Sequence, residues 1–285
     1  MPQIIKRPVQ AALPGLAEMY GASVSEFQAM AEQLTEVWQV LDDAGEVLGT
    51  VALRPSPMHG AELMGGAAPG VHQLAVAGHL LQAAHGHQPQ LYAYADPQRF
   101  PAEALTQAGW SVVGAYTLLA GPTPTQPAQC PAGFSIRPIS ESPDPDDWIR
   151  ALASYEDRIG HHAVAPDRLP EAVRNWFDAD VSVVAYDTAG TPAGLCRAAI
   201  QDTQASIDAP GVQPPLRGTG LRQALLLSVC ERLSHRGVTH ITLEAWGDTP
   251  EERADDLALG LTVQELTPIY AALVDDSSAG VRAPR

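Results

Sequence analysis

Residues 212–227 read V-Q-P-P-L-R-G-T-G-L-R-Q-A-L-L-L and contain the most informative pattern in the chain. A short run broken by proline leads into two glycines around Thr219, and an apolar stretch rich in leucine follows at once. Glycine lets the backbone turn with its N–H groups unobstructed. The helix that follows adds N–H groups without intrahelical partners and the positive end of its dipole. The pattern therefore predicts a binding site for an anion such as a phosphate or pyrophosphate.

Two other interpretations of this stretch stay open. Gly-x-Gly after a proline-rich segment is also typical of a plain turn that precedes a helix. A glycine-rich loop can also belong to a dinucleotide site, but the sequence has neither the G-x-G-x-x-G fingerprint nor a Walker G-K-[ST] motif.

The composition is that of a globular protein. With 285 residues, 45% of them hydrophobic, the chain can bury the core of one large domain or two. No apolar run approaches the roughly 20 residues that span a bilayer, and the N-terminus lacks the layout of a signal peptide, so we expect no membrane partner and a cytoplasmic location. The net charge of −16 argues against nucleic acid as a partner. The expected assembly is a monomer or a homodimer.

The cysteines do not indicate a disulfide framework or a structural zinc site. Cys130, Cys196 and Cys230 lie far apart and form no C-x-x-C pair, so no metal is expected. Cys230 falls on the apolar side of the helix predicted after the glycine loop and is predicted to be a small core residue.

The chain repeats one plan on either side of a segment rich in proline and glycine. Residues 121–133 contain no charged residue and read as a linker. Each half carries an Asp-x-Ala-Gly hairpin turn, at residues 42–45 and 187–190. Each half also has a glycine that ends a helix before a strand. We predict a first domain at residues 1–121, a linker at 122–133 and a second domain at 134–285.

Each half is predicted to alternate strands and helices. The order is a strand, one or two helices, a hairpin, another strand, a helix, a strand, a helix and a last strand. A helical region is predicted at residues 145–178, and only a weak strand near residues 62–64. The fold class is α/β (α+β), in which a mixed, mostly antiparallel sheet is flanked by helices in each half.

The glycine loop resembles the acyl-CoA signature of the GNAT superfamily of N-acetyltransferases, V-x-P-x-x-[RQ]-G-x-G-[ILV]-[GA]. The matching residues are Val212, Pro214, Arg217, Gly218, Gly220 and Leu221. Arg222 departs from the pattern, because the family usually has a small residue there. The resemblance implies two tandem GNAT-like domains, arranged as in mycothiol-synthase-like proteins, and acetyl-CoA or another acyl-CoA as co-substrate. The residues expected to bind it are Val212, Arg217, Gly218, Thr219, Gly220, Leu221 and Arg222.

The first half lacks the features of this loop. In the corresponding place it has G-G-A-A-P-G at residues 65–70, with no arginine and no Val-x-Pro before it. We therefore predict that the first half is a degenerate, structural copy and that the second half carries the active site.

The resemblance also suggests catalytic groups. The family often uses a carboxylate on the strand before the loop as a base, and Asp208 is the acid at that place; a plain strand-end Asp is the alternative. Glu244 lies in an apolar strand and is expected to be paired structurally or kept for substrate. Asp256 takes the position where many members have the tyrosine that protonates the leaving thiolate, and it is a poor donor unless its pKa is raised. Tyr270 is the nearest tyrosine, although core packing explains it equally well.

The acceptor pocket is expected in the segment Y-E-D-R-I-G-H-H at residues 155–162. Tyr155, Glu156 and His161 are the predicted substrate-binding residues, while adjacent histidines alone do not form a metal site. Trp148, Trp176 and Trp246 are expected to pack in the core or between domains.

The sequence thus predicts an enzyme that transfers an acetyl group from acetyl-CoA to a small amine without a covalent intermediate. Two alternatives follow from Arg222 and the missing tyrosine. One is a protein that binds acyl-CoA without turnover, and the other is a structural protein whose groove is closed in both halves.

Overall fold

The computed structural model describes residues 3–56, 58–160 and 176–272. The chain forms two compact units. The first comprises Met1–Val113 and Pro268–Arg285, and the second comprises Gly114–Thr267. No helix among the described residues is long and apolar enough to cross a membrane.

The first unit contains a mixed sheet. In chain order its elements are β1 (Gln3–Arg7), α1 (Val9–Met19), α2 (Val24–Ala31), β2 (Val37–Leu41), β3 (Val47–Ser56), β4 (Gly60–Ala67), α3 (Gln73–His87), β5 (Leu91–Tyr94), α4 (Ala102–Gln107) and the start of β6 (Trp110–Pro122). The strand order is β1-β2-β3-β4-β5, and the last strand of the chain, β14 (Thr262–Ala272), pairs with β5. Only the β4–β5 pair is parallel.

The core of the first unit forms because α3 has a continuous apolar face. Its buried residues recur at helical spacing and pack against the sheet; they are Val76, Ala77, Leu80, Leu81 and Ala84. A separate cluster contains α1, whose Leu13 and Leu16 are buried against Val37, Ala52 and Met64.

The second unit contains two sheets. Its elements are β7 (Ser135–Pro138), α5 (Asp147–Ala151), a 3₁₀ turn (Leu152–Tyr155), β8 (Val183–Tyr186), β9 (Pro192–Cys196), β10 (Ala198–Gln201), β11 (Gln204–Asp208), β12 (Gly211–Val212), α6 (Leu221–His235), β13 (His240–Trp246) and α7 (Pro250–Ala258). One sheet has the order β6-β13-β11-β10 and the other has the order β12-β9-β8-β7. Of these pairs, only β11–β13 is parallel.

The helix after the glycine loop provides the core of the second unit. Eight residues of α6 are buried, and Cys230 is fully buried among them, as predicted. They pack against buried residues of β8, β9, β11 and β13.

The two Asp-x-Ala-Gly turns have the same geometry. The carboxylate of Asp42 accepts the N–H groups two and four residues further on, at 2.9 and 2.8 Å. The carboxylate of Asp187 does the same at 2.9 Å for both. Gly45 and Gly190 follow with φ values of 87° and 80°, which favour glycine. Both predicted hairpins are confirmed.

The fold class is confirmed as mixed α/β with mostly antiparallel sheets flanked by helices. The prediction of a weak strand near residues 62–64 was too cautious, because β4 pairs with β3 along its whole length and seven of its eight residues are buried. Of the helical region predicted at residues 145–178, the structure describes α5 and the 3₁₀ turn, and residues 161–175 lie outside the described part.

Candidate functional site

The parallel strands β11 and β13 part at a proline. They pair from Gln204 to Asp208, and the N–H of Ala209 still donates to the carbonyl of Glu244 at 2.7 Å. Pro210 has no N–H to continue the ladder. The chain then enters β12, which pairs with β9 in the other sheet. An opening is therefore left beside β11.

The edge of β12 that faces away from β9 presents a free position for a hydrogen bond. Gln213 donates its N–H to the carbonyl of Ala193 at 3.1 Å, and Val212 lies opposite Gly194. In an antiparallel pair successive residues point their N–H groups to opposite sides, so the N–H of Val212 points away from β9. The carbonyl of Val212 accepts the Nε–H of Arg217 at 3.2 Å on that same side.

Tyr155 holds the parted backbone in place. Its buried hydroxyl donates to the carbonyl of Ala209 at 2.8 Å and lies 3.3 Å from that of Leu195. Burial raises the pKa of this phenol, so it stays protonated and keeps donating. A Cβ at Gly211 would lie 2.7 Å from Cζ of Tyr155, which explains the glycine. Tyr155 thus lies at the opening, mainly as a support for the backbone.

The glycine loop has the geometry of an anion site. Gly218 and Gly220 have φ values of 76° and 84°, and Gly220 immediately precedes α6. The hydroxyl of Thr219 donates to the carbonyl of Leu216 at 2.7 Å, which stabilises the turn. The N–H of Ala224 bonds to the carbonyl of Gly220 at 3.1 Å, so the preceding N–H groups of the first turn have no acceptor within the helix. Leu221, by contrast, has its side chain in the core.

Arg217 is bound to the segment predicted to form the acceptor pocket. Its guanidinium donates to both carboxylate oxygens of Asp157, at 2.7 and 2.6 Å. These hydrogen bonds outweigh the effect of burial and lower the pKa of Asp157. Arg217 therefore lies beside the glycine loop, and its charge is matched by Asp157; its role in binding acyl-CoA stays a prediction.

Arg222 belongs to a buried ion cluster, which we define as Arg158, Arg222, Asp248, Glu252 and Asp256. Arg222 donates to Asp256 at 2.7 and 2.8 Å and to Asp248 at 2.8 Å. Arg158 donates to Glu252 at 2.6 and 2.5 Å. The five side chains are between 2% and 16% exposed. The guanidinium of Arg222 is thus directed to α7 and the residues before it.

The ion cluster fixes the charge of its members. Burial would raise the pKa of Glu252, but hydrogen bonds from Arg158 and from the Thr249 N–H lower it to about 2. Burial raises the pKa of Asp248, although Arg222 and Arg158 oppose the rise. Asp256 accepts a hydrogen bond from Arg222 on each of its carboxylate oxygens. Its role as a proton donor stays a prediction, and this contact weighs against it.

Asp208 and Glu244 lie side by side on β11 and β13. They border a narrow cavity of about 20 Å³, room for one water molecule, together with Tyr155, Arg158 and Trp246. They also border an open cavity of about 380 Å³ that is lined in part by Trp176. Burial raises the pKa of Asp208, and an ion pair with Arg197 opposes the rise. Burial and the charge of Asp208 raise the pKa of Glu244.

The other predicted residues are dispersed. Glu156 is exposed on the turn that follows the 3₁₀ turn, and His161 lies outside the described residues. Trp148 is buried in a core cluster, and Tyr270 packs against the core of the first unit. Trp246 lies against Tyr116 with ring centroids 5.2 Å apart.

Sequence reasoning missed three charged residues near the opening: Asp157, Arg158 and Arg197. The first two lie inside the segment predicted to form the acceptor pocket. Neighbouring residues of opposite charge could have indicated that each forms an ion pair with a different partner, as Asp157 does with Arg217 and Arg158 with Glu252. Arg197 had no signal, because a single arginine between two short strands gives no pattern.

The corresponding opening in the first unit is filled by its own backbone. β4 and β5 pair only at Ala61 and Glu62. Beyond that point the N–H of Ala67 donates to the carbonyl of Arg99 at 3.0 Å. A Cβ at Gly66 would lie 2.6 Å from that same carbonyl oxygen. The segment around Arg99 therefore occupies the gap between the strands.

The comparisons with known proteins point to one family. Residues 148–258 match the profile of the Acetyltransferase (GNAT) family. A mycothiol acetyltransferase of Thermobispora bispora is 29% identical over 72% of this chain and 72% of its own length. A mycothiol acetyltransferase of Clavibacter sepedonicus is 32% identical over 58% of this chain, and the match spans 53% of that protein's length.

Solved structures agree with this assignment. A GCN5-related N-acetyltransferase of Sphaerobacter thermophilus has a TM-score of 0.54 at 20% identity, over 94% of this chain and 95% of that chain. A tandem GNAT protein from the clavulanic acid biosynthesis pathway has a TM-score of 0.52 at 16% identity, over 95% of this chain and 98% of that chain. At these identities the structures establish the fold. Residues 148–258 are thus similar to the GNAT family of acetyltransferases. The chain as a whole has the fold of tandem GNAT proteins.

The ion cluster is expected to be essential for stability. Replacing Arg222 by Ala leaves Asp248 and Asp256 buried without their main cation, which typically costs about 3–5 kcal/mol. The free energy of unfolding from urea titrations measures this loss. Arg236→Ala is the matched control, because Arg236 and Asp180 form an exposed pair, 52% and 60% exposed, and such pairs contribute at most about 1 kcal/mol. Equal losses in the two variants would contradict the buried network.

The lowered pKa of Glu252 predicts a specific acid sensitivity. The pKa of Glu252 is about 2 in the folded protein and about 4.3 in the unfolded chain. The ionised carboxylate therefore stabilises the fold fully above pH about 4.3, and this contribution is lost as the pH falls from about 4.3 towards about 2. Wild-type unfolding free energy should therefore fall through that window, and Glu252→Gln should fall less steeply. Urea titrations at a series of pH values test this, and parallel curves for the two proteins would refute it.

Proposed function

We propose that this chain transfers an acetyl group from acetyl-CoA to a small amine, with its active site in the second unit. The observation that supports this most is the parting of β11 and β13 at Pro210, directly before the glycine loop and α6. The opening provides a place for a thioester, and the loop with the first turn of α6 provides a place for its pyrophosphate. In the first unit the same place is filled around Arg99.

Backbone groups are proposed to hold acetyl-CoA. The N–H groups at Gly218, Thr219, Gly220, Leu221 and Arg222 would bind the pyrophosphate. The free edge of β12 would pair with the amides of the pantetheine arm, as a peptide adds to a sheet edge. The N–H of Val212 would polarise the acetyl carbonyl, because a fixed dipole in an opening with little water stabilises the developing oxyanion.

Asp208 is proposed as the base. Burial raises its pKa towards neutral pH, which makes it a better proton acceptor than an exposed aspartate. The amine nitrogen attacks the carbonyl carbon of the thioester, and its proton passes to Asp208 directly or through a water in the narrow cavity. The C–S bond then breaks, which leaves the amide and the CoA thiolate.

The leaving group is proposed to depart as a thiolate. An ordinary thiol has a pKa of about 8.5, so a thiolate is a tolerable leaving group near neutral pH and takes its proton from water afterwards. Departure as a thiolate is compatible with a site that has Asp256, bound to Arg222, at the position where many family members have a tyrosine. The acceptor of the mycothiol acetyltransferases is the first amine to test, because two relatives carry that name.

Binding of acyl-CoA without turnover is the second candidate. The ion cluster favours it, because Arg158 and Arg222 hold Gly247 and Asp248, the residues before α7, in fixed positions. The two candidates share the CoA site and differ in acetyl transfer.

Isothermal titration with acetyl-CoA tests the site. We expect one site of micromolar affinity. Arg217→Ala should weaken binding about tenfold, because it removes a cation beside the phosphates. Asp157→Asn should tighten binding about fivefold, because Arg217 is then available to the ligand.

Glu231→Gln is the control, because it removes one exposed negative charge of α6 far along the helix from the loop. Its affinity should match the wild type. Failure of the wild-type protein and of Asp157→Asn to bind acetyl-CoA would refute the proposed function.

A further inference from the structure

Arg197 contacts the proposed base through both its backbone and its side chain. It lies between β9 and β10, and its carbonyl accepts the N–H of Asp208 at 3.0 Å. Its Nη2 donates to Oδ2 of the same Asp208. The first contact fixes the end of β11 and the second fixes the direction of the carboxylate, at the last residue before the strands part.

The charge of Arg197 is not shared among several carboxylates. The residue is only 6% exposed, and its guanidinium lies 5.2 Å from the ring centroid of Trp176 and 5.8 Å from that of Phe177. Its Nε and Nη1 are buried and have no hydrogen-bond partner in the described part of the chain. Asp208 is thus its single carboxylate partner there. Arg158 and Arg222, in contrast, share the three carboxylates of the ion cluster.

Burying an arginine with unpartnered nitrogens lowers the stability of the fold, so a functional reason for it is expected. A buried donor without a hydrogen-bond partner destabilises the fold, and Arg197 has two such nitrogens among the described residues. Arg158 and Arg217 satisfy such groups with carbonyls and carboxylates. Among the described residues Arg222 leaves only its Nε without a hydrogen-bond partner, whereas Arg197 leaves two nitrogens.

Asp208 needs a cation because its surroundings disfavour its charge. Burial raises the pKa of Asp208, and Glu244, whose own pKa is raised by burial and by the charge of Asp208, lies opposite it on β13. Two adjacent, partly buried carboxylates disfavour each other's charge unless a cation lies beside them. The titratable and charged groups around Asp208 are Tyr155, Arg158, Cys196, Arg197, Glu244 and Asp248.

We propose that Arg197 is a positioning residue of the acetyl-transfer site, which directs the Asp208 carboxylate towards the narrow cavity and keeps it in the anionic form that accepts the amine proton. This inference rests on the proposed function, because it gives Arg197 a role only where Asp208 acts as the base. Arg197 acts through Asp208 and contacts no reacting atom.

Titration of the Asp208 carboxyl carbon by NMR tests the electrostatic part without any acceptor. The protein is labelled with ¹³C at the aspartate carboxyl groups, and Asp208→Asn identifies the resonance. In Arg197→Gln the midpoint should rise by about one pH unit or more, and in Arg197→Lys it should return most of the way to the wild type. Arg236→Gln, an exposed arginine paired with Asp180, should leave it unchanged.

Kinetics test the role in transfer. CoA release from acetyl-CoA is followed with a thiol reagent over a panel of primary amines, and kcat/KM is measured against pH for the best acceptor. The acid limb should move upward in Arg197→Gln together with the NMR midpoint. Arg197→Lys keeps the charge and loses the planar guanidinium, so its acid limb should stay in place while kcat falls about tenfold or more and KM for acetyl-CoA is unchanged.

The outcomes separate the two proposals. Transfer by the wild type with an unmoved midpoint and acid limb in Arg197→Gln would overturn the role of Arg197 and leave the proposed function standing. Absence of transfer by the wild type with every amine would overturn the proposed function and the role together. If Arg197→Gln does not fold, an Arg197→Lys variant with wild-type kcat would equally overturn the positioning role.

Discussion

The parting of β11 and β13 is the constraint on which the second unit depends. Ala209 is the last residue to donate across the pair, and Pro210 ends the ladder because it has no N–H. The chain is then free to pair with β9, and the hydroxyl of Tyr155 holds the carbonyl it leaves behind. One edge of β12 is consequently left without a neighbouring strand among the described residues, and Asp208 lies at the last paired position before the opening. The N–H of Val212 and the carboxylate of Asp208, the groups proposed to act in transfer, lie on either side of this parting of the strands.

The two units show how little is needed to close such an opening. In the first unit seven residues (95–101) connect β5 to α4, whereas three residues (247–249) connect β13 to α7 in the second. The longer connection reaches back far enough for Arg99 to accept the N–H of Ala67, and so a backbone segment occupies the place of a ligand. Glycine is needed at position 66 because no side chain fits against that segment. Loop length and one close approach therefore account for the proposed difference between an active second unit and a structural first unit.

The sequence predicted the features that depend on neighbouring residues. The turns at Asp42 and Asp187 were predictable because each carboxylate bonds to N–H groups within four residues. The glycine loop before α6 was predictable because its glycines and the helix that they precede are adjacent in the sequence. The ion cluster was not predictable, because its members are far apart in the sequence. Arg158 precedes Glu252 by 94 residues, and the carboxylates come from the connection before α7 and from α7 itself. Arg222 could be recognised as a departure from a pattern, but nothing local indicates which carboxylates bind it. For the same reason the partner of Arg197 became visible only once β9, β10 and β11 were placed together.

The pairing of charges around the opening limits how a ligand can bind there. Arg158 and Arg222 face three carboxylates, Arg197 is bound to Asp208, and Arg217 is bound to Asp157. None of these four arginines is therefore an unmatched cation, and the chain as a whole carries a net charge of −16. An anionic ligand must either displace an internal carboxylate or bind to backbone N–H groups, which internal side chains have not neutralised. Arg217 is the arginine best placed for displacement, since it is about a third exposed and bonds to the carbonyl of Val212 beside the loop. Specificity for a ligand with phosphates would then arise from the geometry of the glycine loop and the exchange of one ion pair, with little help from the overall electrostatic field.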